Sequence, residues 1–375
     1  MKDQEPPVKA TETEAESPRV EFPCDGCGAS MTWDPEADAL SCAWCGQVKP
    51  VPRAEGTILE RPLAAAAGLR RGLAAEGLRV ARCGNCGARV TFAERSTAER
   101  CVYCGSPQVL AQEANREVLR PESLIPLDLG REQAVRAFRR WLRGLWFRPA
   151  ALKRLKDFDA TGVYVPFWTF DCAVHSEWSA DAGYYYYVTV PHTVTVNGRP
   201  RVRMRRERRI RWVPAWGERD DLFDDLLIPA SAGLPPALLE ELGEYDLSAL
   251  VPYRPEYLAG WRAEEYAVGL EEAWRAGQRR VESVQEERCA GDVPGDTHRF
   301  LRVRNRIREV RWKHLLLPVW SIQYSYRGEV YTVLVNGQNG RVVGRAPWSW
   351  PRILAAFLLL AAAGLGLLAL LRTRG

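Results

Sequence analysis

The sequence predicts an α+β fold, and three observations support this prediction. Four Cys-x-x-Cys pairs lie within residues 24–104, helical and strand-like patterns are interspersed over 118–347, and an uninterrupted apolar run covers 353–371. With 375 residues, 46% hydrophobic and 26% charged, the chain is long enough for two or three folded units. The predicted parts are a disordered acidic tail (1–20), a first cysteine unit (21–49), a linker with one helix (50–79), a second cysteine unit (80–111), a mostly antiparallel α+β domain (118–347) and an apolar helix (353–371).

The N-terminal residues lack the features of a signal peptide. Residues 2–21 are polar and acidic, contain prolines and hold no apolar run. The paired cysteines are therefore expected to be thiolates in a reducing cytosol and not disulfides of a secreted protein.

The eight paired cysteines form two matched units. Each unit has two Cys-x-x-Cys pairs separated by fourteen residues, and the second unit repeats the first with an offset of fifty-nine residues. A glycine follows every pair. The two units are an internal duplication, with the cysteines Cys24, Cys27, Cys42 and Cys45 in the first and Cys83, Cys86, Cys101 and Cys104 in the second.

This spacing is typical of zinc ribbons. A Cys-x-x-Cys turn directs two sulfurs at one metal, and the glycine after it lets the backbone curl back so that amides reach the thiolates. Residues 31–33 and 89–92 are predicted as short ribbon strands. A redox Cys-x-x-Cys would occur singly, near a βαβ pattern. Because all four ligands of each site are protein thiolates, we expect two structural zinc ions with no open coordination position.

The other two cysteines, Cys172 and Cys289, are expected to be buried and inert. His175 follows Cys172 by three residues, but in a strand-like run these side chains point to opposite faces. A shared metal site is therefore not favoured.

The central domain combines both periodicities. Helical patterns cover 128–143, with Asp128 as the expected N-cap, a short segment after Pro149, 236–247 and 263–284. Strand patterns cover 163–170, 184–190, 193–196, 315–326, 330–335 and 341–343. Asn197-Gly198 predicts a two-residue hairpin turn, because both residues tolerate the positive φ angles of a type I′ turn.

Charge is segregated along the chain, although the net charge is only +5. Residues 199–211 hold eight arginines against Glu207, and 131–156 hold nine basic residues against Glu132. Residues 218–246 hold nine acids against Arg219. Three interpretations remain open: solvated faces, an anionic partner such as phospholipid or nucleic acid, and an internal contact between the basic and acidic segments.

The apolar run predicts a transmembrane helix. The nineteen residues of 353–371 are long enough to cross the hydrocarbon core once, with Trp348 and Trp350 at the interface and arginines at both ends. Since the folded mass and the thiolates precede it, we expect a single-pass protein of the cell membrane with the bulk of the chain in the cytoplasm.

The order of these parts resembles a bacterial family of tandem zinc-ribbon membrane proteins. Its members are described as TFIIB-type zinc-ribbon proteins or as primosomal protein N′ (replication factor Y)-like superfamily II helicases. The resemblance lies in the ribbons and in residues 141–149, 161–171, 253–260, 315–320 and 335–338. It implies partners among flotillin-like and phage-shock-type membrane proteins of the envelope-stress response.

The residues do not support a helicase. None of the six lysines follows a glycine, so no phosphate-binding loop is present. The histidines are scattered, and the motifs of hydrolases, metalloproteases and dinucleotide enzymes are absent from the sequence. Asp220, Asp221, Asp224 and Asp225 are read as a solvated loop in preference to a cation site.

The sequence therefore favours a non-enzymatic, membrane-tethered adaptor that binds other proteins, without an evident small-molecule substrate. The alternative is a zinc-ribbon nucleic-acid-binding protein without helicase activity, since rows of arginine suit phosphates. An enzyme based on the central domain is a third alternative, with no candidate substrate.

Overall fold

A computed structural model of the chain describes residues 22–52, 58–65, 79–92, 100–107, 109–113, 119–196 and 199–373. The predicted tail and most of the predicted linker helix lie outside these residues. The strands are β1 (Thr32–Asp34), β2 (Ala39–Ser41), β3 (Val48–Pro50), β4 (Arg61–Pro62), β5 (Arg79–Cys83), β6 (Arg89–Phe92), β7 (Val109–Glu113), β8 (Ser123–Leu124), β9 (Phe158–Val196), β10 (Arg199–Pro229), β11 (Val251–Pro252), β12 (Arg262–Ala263), β13 (Thr297–Tyr326), β14 (Glu329–Asn336) and β15 (Val342–Gly344). The α-helices are α1 (Arg131–Gly144), α2 (Pro236–Leu242), α3 (Leu270–Asp292) and α4 (Trp350–Thr373).

The fold is mostly β, so the predicted α+β class is wrong. Strands β9, β10 and β13 are 39, 31 and 30 residues long. Charged and small residues inside them interrupt the apolar runs, which is why the sequence predicted several short strands. In the sheet those residues alternate onto solvent-facing sides while backbone pairing continues, so they do not end the strands.

The central sheet has the order β10-β9-β13-β14-β15, and all of these neighbours are antiparallel. Residues 164–168 (Tyr-Val-Pro-Phe-Trp) and 316–320 (Leu-Leu-Pro-Val-Trp) are similar in sequence. They lie side by side at the centre of the sheet, with Leu316 opposite Pro166. Trp168 and Trp320 are buried there. The core therefore forms where the two longest apolar runs of the sheet meet.

The helices cover parts of this sheet. Helix α1 buries Ala134, Phe138 and Leu142, which share one helical face. The predicted N-cap at Asp128 is wrong, because Gly130 occupies that position and the Asp128 amide donates to the Gly337 carbonyl. After Pro149 the chain forms a 3-10 turn at Ala150–Arg154.

Helix α3 packs along the extended part of the long strands. Val281 lies against Cys172 and Val174 of β9 in one buried cluster. Strand β13 pairs with β9 as far as Gly183, opposite Thr297. Beyond this point β9 and β10 continue as a two-stranded ribbon; its residues 184–211, apart from the two turn residues, are called the arm below.

The predicted transmembrane helix at 353–371 is corrected by the structure. Within the part of the chain that the structure describes, no helix combines the length and apolar character needed to cross a membrane. The expected cellular location, which rested on that span, stays a prediction.

Candidate metal centres

The first cysteine unit is called ribbon 1 and the second ribbon 2, and each is a three-stranded antiparallel sheet. Their strand orders are β1-β2-β3 and β6-β5-β7. The strands predicted at 31–33 and 89–92 are found as β1 and β6. Each Cys-x-x-Cys turn, called a knuckle below, ends in a glycine with a positive φ angle between 69° and 80°, at Gly28, Gly46, Gly87 and Gly105. This left-handed conformation explains why every knuckle is followed by glycine.

The structure brings all eight predicted cysteines together in two groups of four. The sulfur atoms of Cys24 and Cys45 are 3.4 Å apart, and those of Cys27 and Cys42 are 3.5 Å apart. In ribbon 2 the Cys83–Cys104 and Cys86–Cys101 sulfur distances are both 3.6 Å. A tetrahedral zinc ion with Zn–S bonds of about 2.3 Å requires sulfurs roughly 3.8 Å apart. Each group could therefore hold one zinc ion with little rearrangement.

Hydrogen bonds favour the thiolate form at one sulfur of each group, Cys42 in ribbon 1 and Cys101 in ribbon 2. The amides of Cys45 and Trp44 donate to the sulfur of Cys42 and lower its pKa to about 6. The pKa of Cys101 is lowered to about 5 by a hydrogen bond from the Cys86 thiol and by the amides of Cys104 and Tyr103, against the effect of burial. Thiolate is the form that binds zinc.

The second knuckle of ribbon 2 (101–104) is fixed to the central sheet. Ser321 and Thr332 donate side-chain hydrogen bonds to the carbonyls of Val102 and Tyr103, and Gln323 donates to the carbonyl of Cys101. The donors come from β13 and β14, more than two hundred residues away in the chain. These bonds make the knuckle an integral part of the sheet surface.

Tyr103 anchors the same knuckle in a buried polar network. Its hydroxyl donates to Glu264 Oε2 at 2.9 Å, and Ser231 Oγ donates to Glu264 Oε1 at 2.9 Å. The amides of residues 232 and 233 also donate to Oε1. Burial raises the pKa of Glu264 to about 7, although these hydrogen bonds lower it.

The local sequence does not indicate this network. Glu264 falls in a charged run that resembles an exposed helical surface and lies within the predicted helical pattern 263–284. In the structure α3 begins only at Leu270, and Glu264 is fully buried. No local pattern links it to Tyr103, 161 residues away.

Ribbon 1 contacts the rest of the chain through β1, the counterpart of β6 in ribbon 2, where Thr91 is hydrogen-bonded to residue 263. Trp33 of β1 is buried, its amide donates to the Ala259 carbonyl, and Trp261 Nε1 donates to the Trp33 carbonyl. The second knuckle of ribbon 1 (42–45) carries Trp44, which is 84% exposed. Trp44 occupies the position that Tyr103 has in ribbon 2, where the exposed fraction is 2%.

The acidic run is not a loop, which corrects the sequence interpretation. All four aspartates belong to β10, and the pairing of β10 with β9 is irregular between Phe223 and Leu226. In this irregular segment Asp225 Oδ1 lies 2.7 Å from Lys313 Nζ, which also lies 3.2 Å from Glu60 Oε1. Asp171, Asp224 and Asp225 lie close enough to share a cation, but the Lys313 ammonium already occupies their neighbourhood.

The remaining candidates have ordinary surroundings. Cys172 and Cys289 are buried, as predicted. His175 points away from Cys172 and its Nδ1 lies 2.9 Å from Asp220 Oδ1. The two side chains do not form a common site.

A cavity of about 900 Å³ lies between ribbon 2 and the sheet. Its rim carries basic side chains from Arg100, Arg154, Lys156 and Arg262, with Asp157 and Asp159 beside them. Ser321 and Gln323 line it too, but both donate to the ribbon 2 knuckle. No histidine occurs among its described lining residues.

The fold and the sites define a mostly β protein with two closed four-cysteine centres. Comparison with curated proteins finds a match to YdjG of Bacillus subtilis strain 168, described as an uncharacterized protein. The two are 26% identical over 352 residues, which cover 90% of this chain and 93% of YdjG. No family model and no solved structure matches the chain. The tandem-ribbon resemblance is thus supported to the level of two four-cysteine clusters compatible with zinc.

Proposed function

We propose that the protein is a non-enzymatic zinc-ribbon adaptor that binds another protein through the second knuckle of ribbon 1. The proposal rests on one observation: the aromatic residue before the last cysteine of each ribbon differs in exposure between the two ribbons. In ribbon 2 the aromatic residue of this knuckle is buried against the central sheet, whereas in ribbon 1 Trp44 is exposed.

Ribbon 2 supplies the template for the partner's surface. The aromatic side chain of its second knuckle donates to a buried acceptor, the Glu264 carboxylate. The carbonyls of that knuckle accept hydrogen bonds from hydroxyl and amide side chains. The partner is accordingly a folded protein with an apolar pocket that holds an acceptor for the indole N–H. Tryptophan in such a pocket is a frequent centre of binding energy.

Zinc has a supporting role in this proposal. A closed thiolate centre folds the knuckle and fixes the direction of Trp44, so that less conformational entropy is lost on binding. The ion would take no part in chemistry, since four thiolates leave no open position. Flotillin-like and phage-shock-type proteins, which the family resemblance implies as partners, are the first candidates to test.

The test uses the purified, zinc-loaded full chain and purified candidate partners. Trp44→Ala is expected to weaken binding at least about 30-fold, the effect of losing a central hot spot of roughly 2 kcal/mol. Trp146→Ala is the matched control, because Trp146 is 82% exposed and lies outside both ribbons. Unchanged binding by Trp44→Ala, or equal losses in both variants, would contradict the proposal.

A further inference from the structure

We infer that the arm binds a nucleic-acid duplex, with its two strands lying in a groove and its arginines on the flanking phosphates. This function goes beyond the proposed protein binding and uses a different part of the molecule. Three observations support this: the shape of the arm, the spacing of its charges, and the absence of an acidic partner for its arginines among the described residues.

The arm has the shape of a free β-ribbon. From Tyr184 opposite Arg211 to Val196 opposite Arg199, β9 and β10 pair in continuous register. Thirteen residue pairs at ~3.4 Å each make a projection about 40 Å long. The major groove of B-DNA admits a two-stranded β-ribbon.

The arginines form a regular row on one face of the arm, called the basic face. Residues two apart on a strand share a face, so five of them line up on β10 beside Tyr184, Tyr186 and His192 of β9, which lie opposite or next to them in register. Their repeat is about 6.8 Å, twice the ~3.4 Å rise per nucleotide of one strand. The basic face consists of Arg201, Arg203, Arg205, Arg209 and Arg211, with Glu207 as its single acid.

The other face of the arm is also basic. Arg206 and Arg208 stand there between Met204 and Ile210. Arg206 lies 4.2 Å from the Tyr187 ring centre and Arg208 lies 4.3 Å from that of Tyr185, so the rings hold the guanidinium groups in place. A stacked guanidinium still directs its N–H groups outward in its own plane, where they reach phosphate oxygens.

The arm arginines have no acidic partner among the described residues. Acidic residues of β10 form ion pairs with other cations. Asp221 Oδ2 lies 2.6 Å from Arg219 Nε, and Asp221 Oδ1 lies 2.8 Å from Arg288 Nη1 of α3. Between residues that the structure describes, no ion pair involves an arginine from 201 to 211. The alternative of an internal contact between the basic and acidic segments therefore does not hold for these arginines.

Nucleic acid fits this arrangement better than a lipid surface or an acidic protein. A bilayer is flat and would contact one face of the ribbon, leaving the charges of the other unused. The phosphates of a groove flank an inserted ribbon on both sides, so long arginine side chains from either face can reach negative charge. Val202 and Met204, 68% and 65% exposed, suit contact with sugars and thymine methyl groups.

The test measures binding of the zinc-loaded full chain to a fluorescent DNA duplex as salt is varied. With five to seven phosphate contacts, the logarithm of the association constant is expected to fall with log salt at a slope of about −5, or roughly 10³-fold between 50 and 200 mM. A slope near zero, or no binding at 50 mM salt, would overturn the inference. Vesicles of anionic phospholipid and polyglutamate are the competing probes, and tighter binding to either would also overturn it.

Two matched triple variants locate the site. Arg203→Glu, Arg205→Glu and Arg209→Glu together are expected to weaken duplex binding at least about 100-fold and to reduce the slope by about 3. The control replaces Arg302, Arg304 and Arg308, which are exposed on the three-stranded part of the same sheet, by glutamate with the same change in net charge. Equal losses in both variants would mean non-specific attraction and would refute a site on the arm.

Two further variants separate folding and protein binding from this result. Lysine at 203, 205 and 209 should keep the slope, because charge is retained. Trp44→Ala should bind DNA unchanged, so that failure of either proposal is distinguishable from failure of the other. Zinc content and the unfolding midpoint of each variant are measured to confirm that the core is intact.

Discussion

Ribbon 1 and ribbon 2 share a cysteine pattern and contact the rest of the chain through corresponding strands, β1 and β6, but ribbon 2 also contacts it through its second knuckle. Ribbon 2 presents its second knuckle to the central sheet, where Tyr103 meets Glu264. Ribbon 1 presents β1, where the Trp33 backbone is bonded to residues 259 and 261. The duplicated motif therefore fixes the local fold of a ribbon, while the residue inside the knuckle decides which side is free to bind.

The largest expected difference between the ribbons is the effect of losing a metal ligand. Cys101→Ser should lower the free energy of unfolding of the whole protein by more than about 3 kcal/mol, because that knuckle is hydrogen-bonded to β13 and β14. Cys42→Ser should release zinc from ribbon 1 with a smaller effect on the central sheet. Urea unfolding with zinc titration measures both.

Equal destabilisation of the sheet by Cys101→Ser and Cys42→Ser would contradict the proposed difference between the ribbons. The protection of β13 and β14 amides from hydrogen exchange is the local measurement, and it should fall in Cys101→Ser only. Protection lost in Cys42→Ser instead would mean that ribbon 1 is the structural one.

The next effect is expected at the aromatic position itself. Tyr103→Phe removes the hydroxyl donor to a buried carboxylate and should cost about 1–3 kcal/mol of unfolding free energy. Trp44→Phe changes an exposed side chain and should remain within about 0.5 kcal/mol. Thermal or urea unfolding of the two variants gives both values, and a reversed order would contradict the assignment of the free knuckle.

The ribbons were the most predictable part of the structure. Cysteine spacing and the glycine after each knuckle are local signals of a local geometry, and both were found as expected. The turn at Asn197-Gly198 lies outside the described residues, but Val196 and Arg199 on either side of it pair as that hairpin requires.

The long strands and the network around Glu264 were not predictable from local patterns. Alternating arginines look like breaks in an apolar run, although a strand tolerates them on a solvent face. The partner of Tyr103 is chosen by packing between segments 161 residues apart, which no window of the sequence contains. The apolar run at 353–371 shows the opposite error, since hydropathy alone indicated a span that the described helix does not support.

The buried carboxylate also predicts a pH effect specific to ribbon 2. The pKa of Glu264 is raised to about 7 by burial, above its ordinary value near 4.3 in the unfolded chain. The folded protein therefore binds the extra proton between these values. The associated stability is fully present below about pH 4.3 and is lost as the pH rises through 7. Glu264→Gln should flatten this dependence, and the difference in urea midpoint between wild type and variant from pH 5.5 to 8 measures it.

If the difference in urea midpoint between wild type and Glu264→Gln did not change with pH, Glu264 would be ionised throughout this pH range. Tyr103 would then donate to a carboxylate at every pH. Zinc is kept saturating in these measurements, because cysteine protonation would otherwise add its own pH dependence.

The smallest effect on stability is expected for an exposed ion pair within ribbon 1. Lys49 Nζ is 3.1 Å from Asp25 Oδ2, with side chains 52% and 64% exposed. An ion pair in that position is screened by water and salt, so Lys49→Ala should change the unfolding free energy by less than about 0.5 kcal/mol. In ribbon 2 Arg89 Nη2 lies 3.0 Å from Glu265, whose side chain is 1% exposed, so Arg89→Ala should cost more. Urea unfolding at low and high salt compares them, and a loss at Lys49 as large as that at Arg89 would contradict the expected screening of the exposed pair.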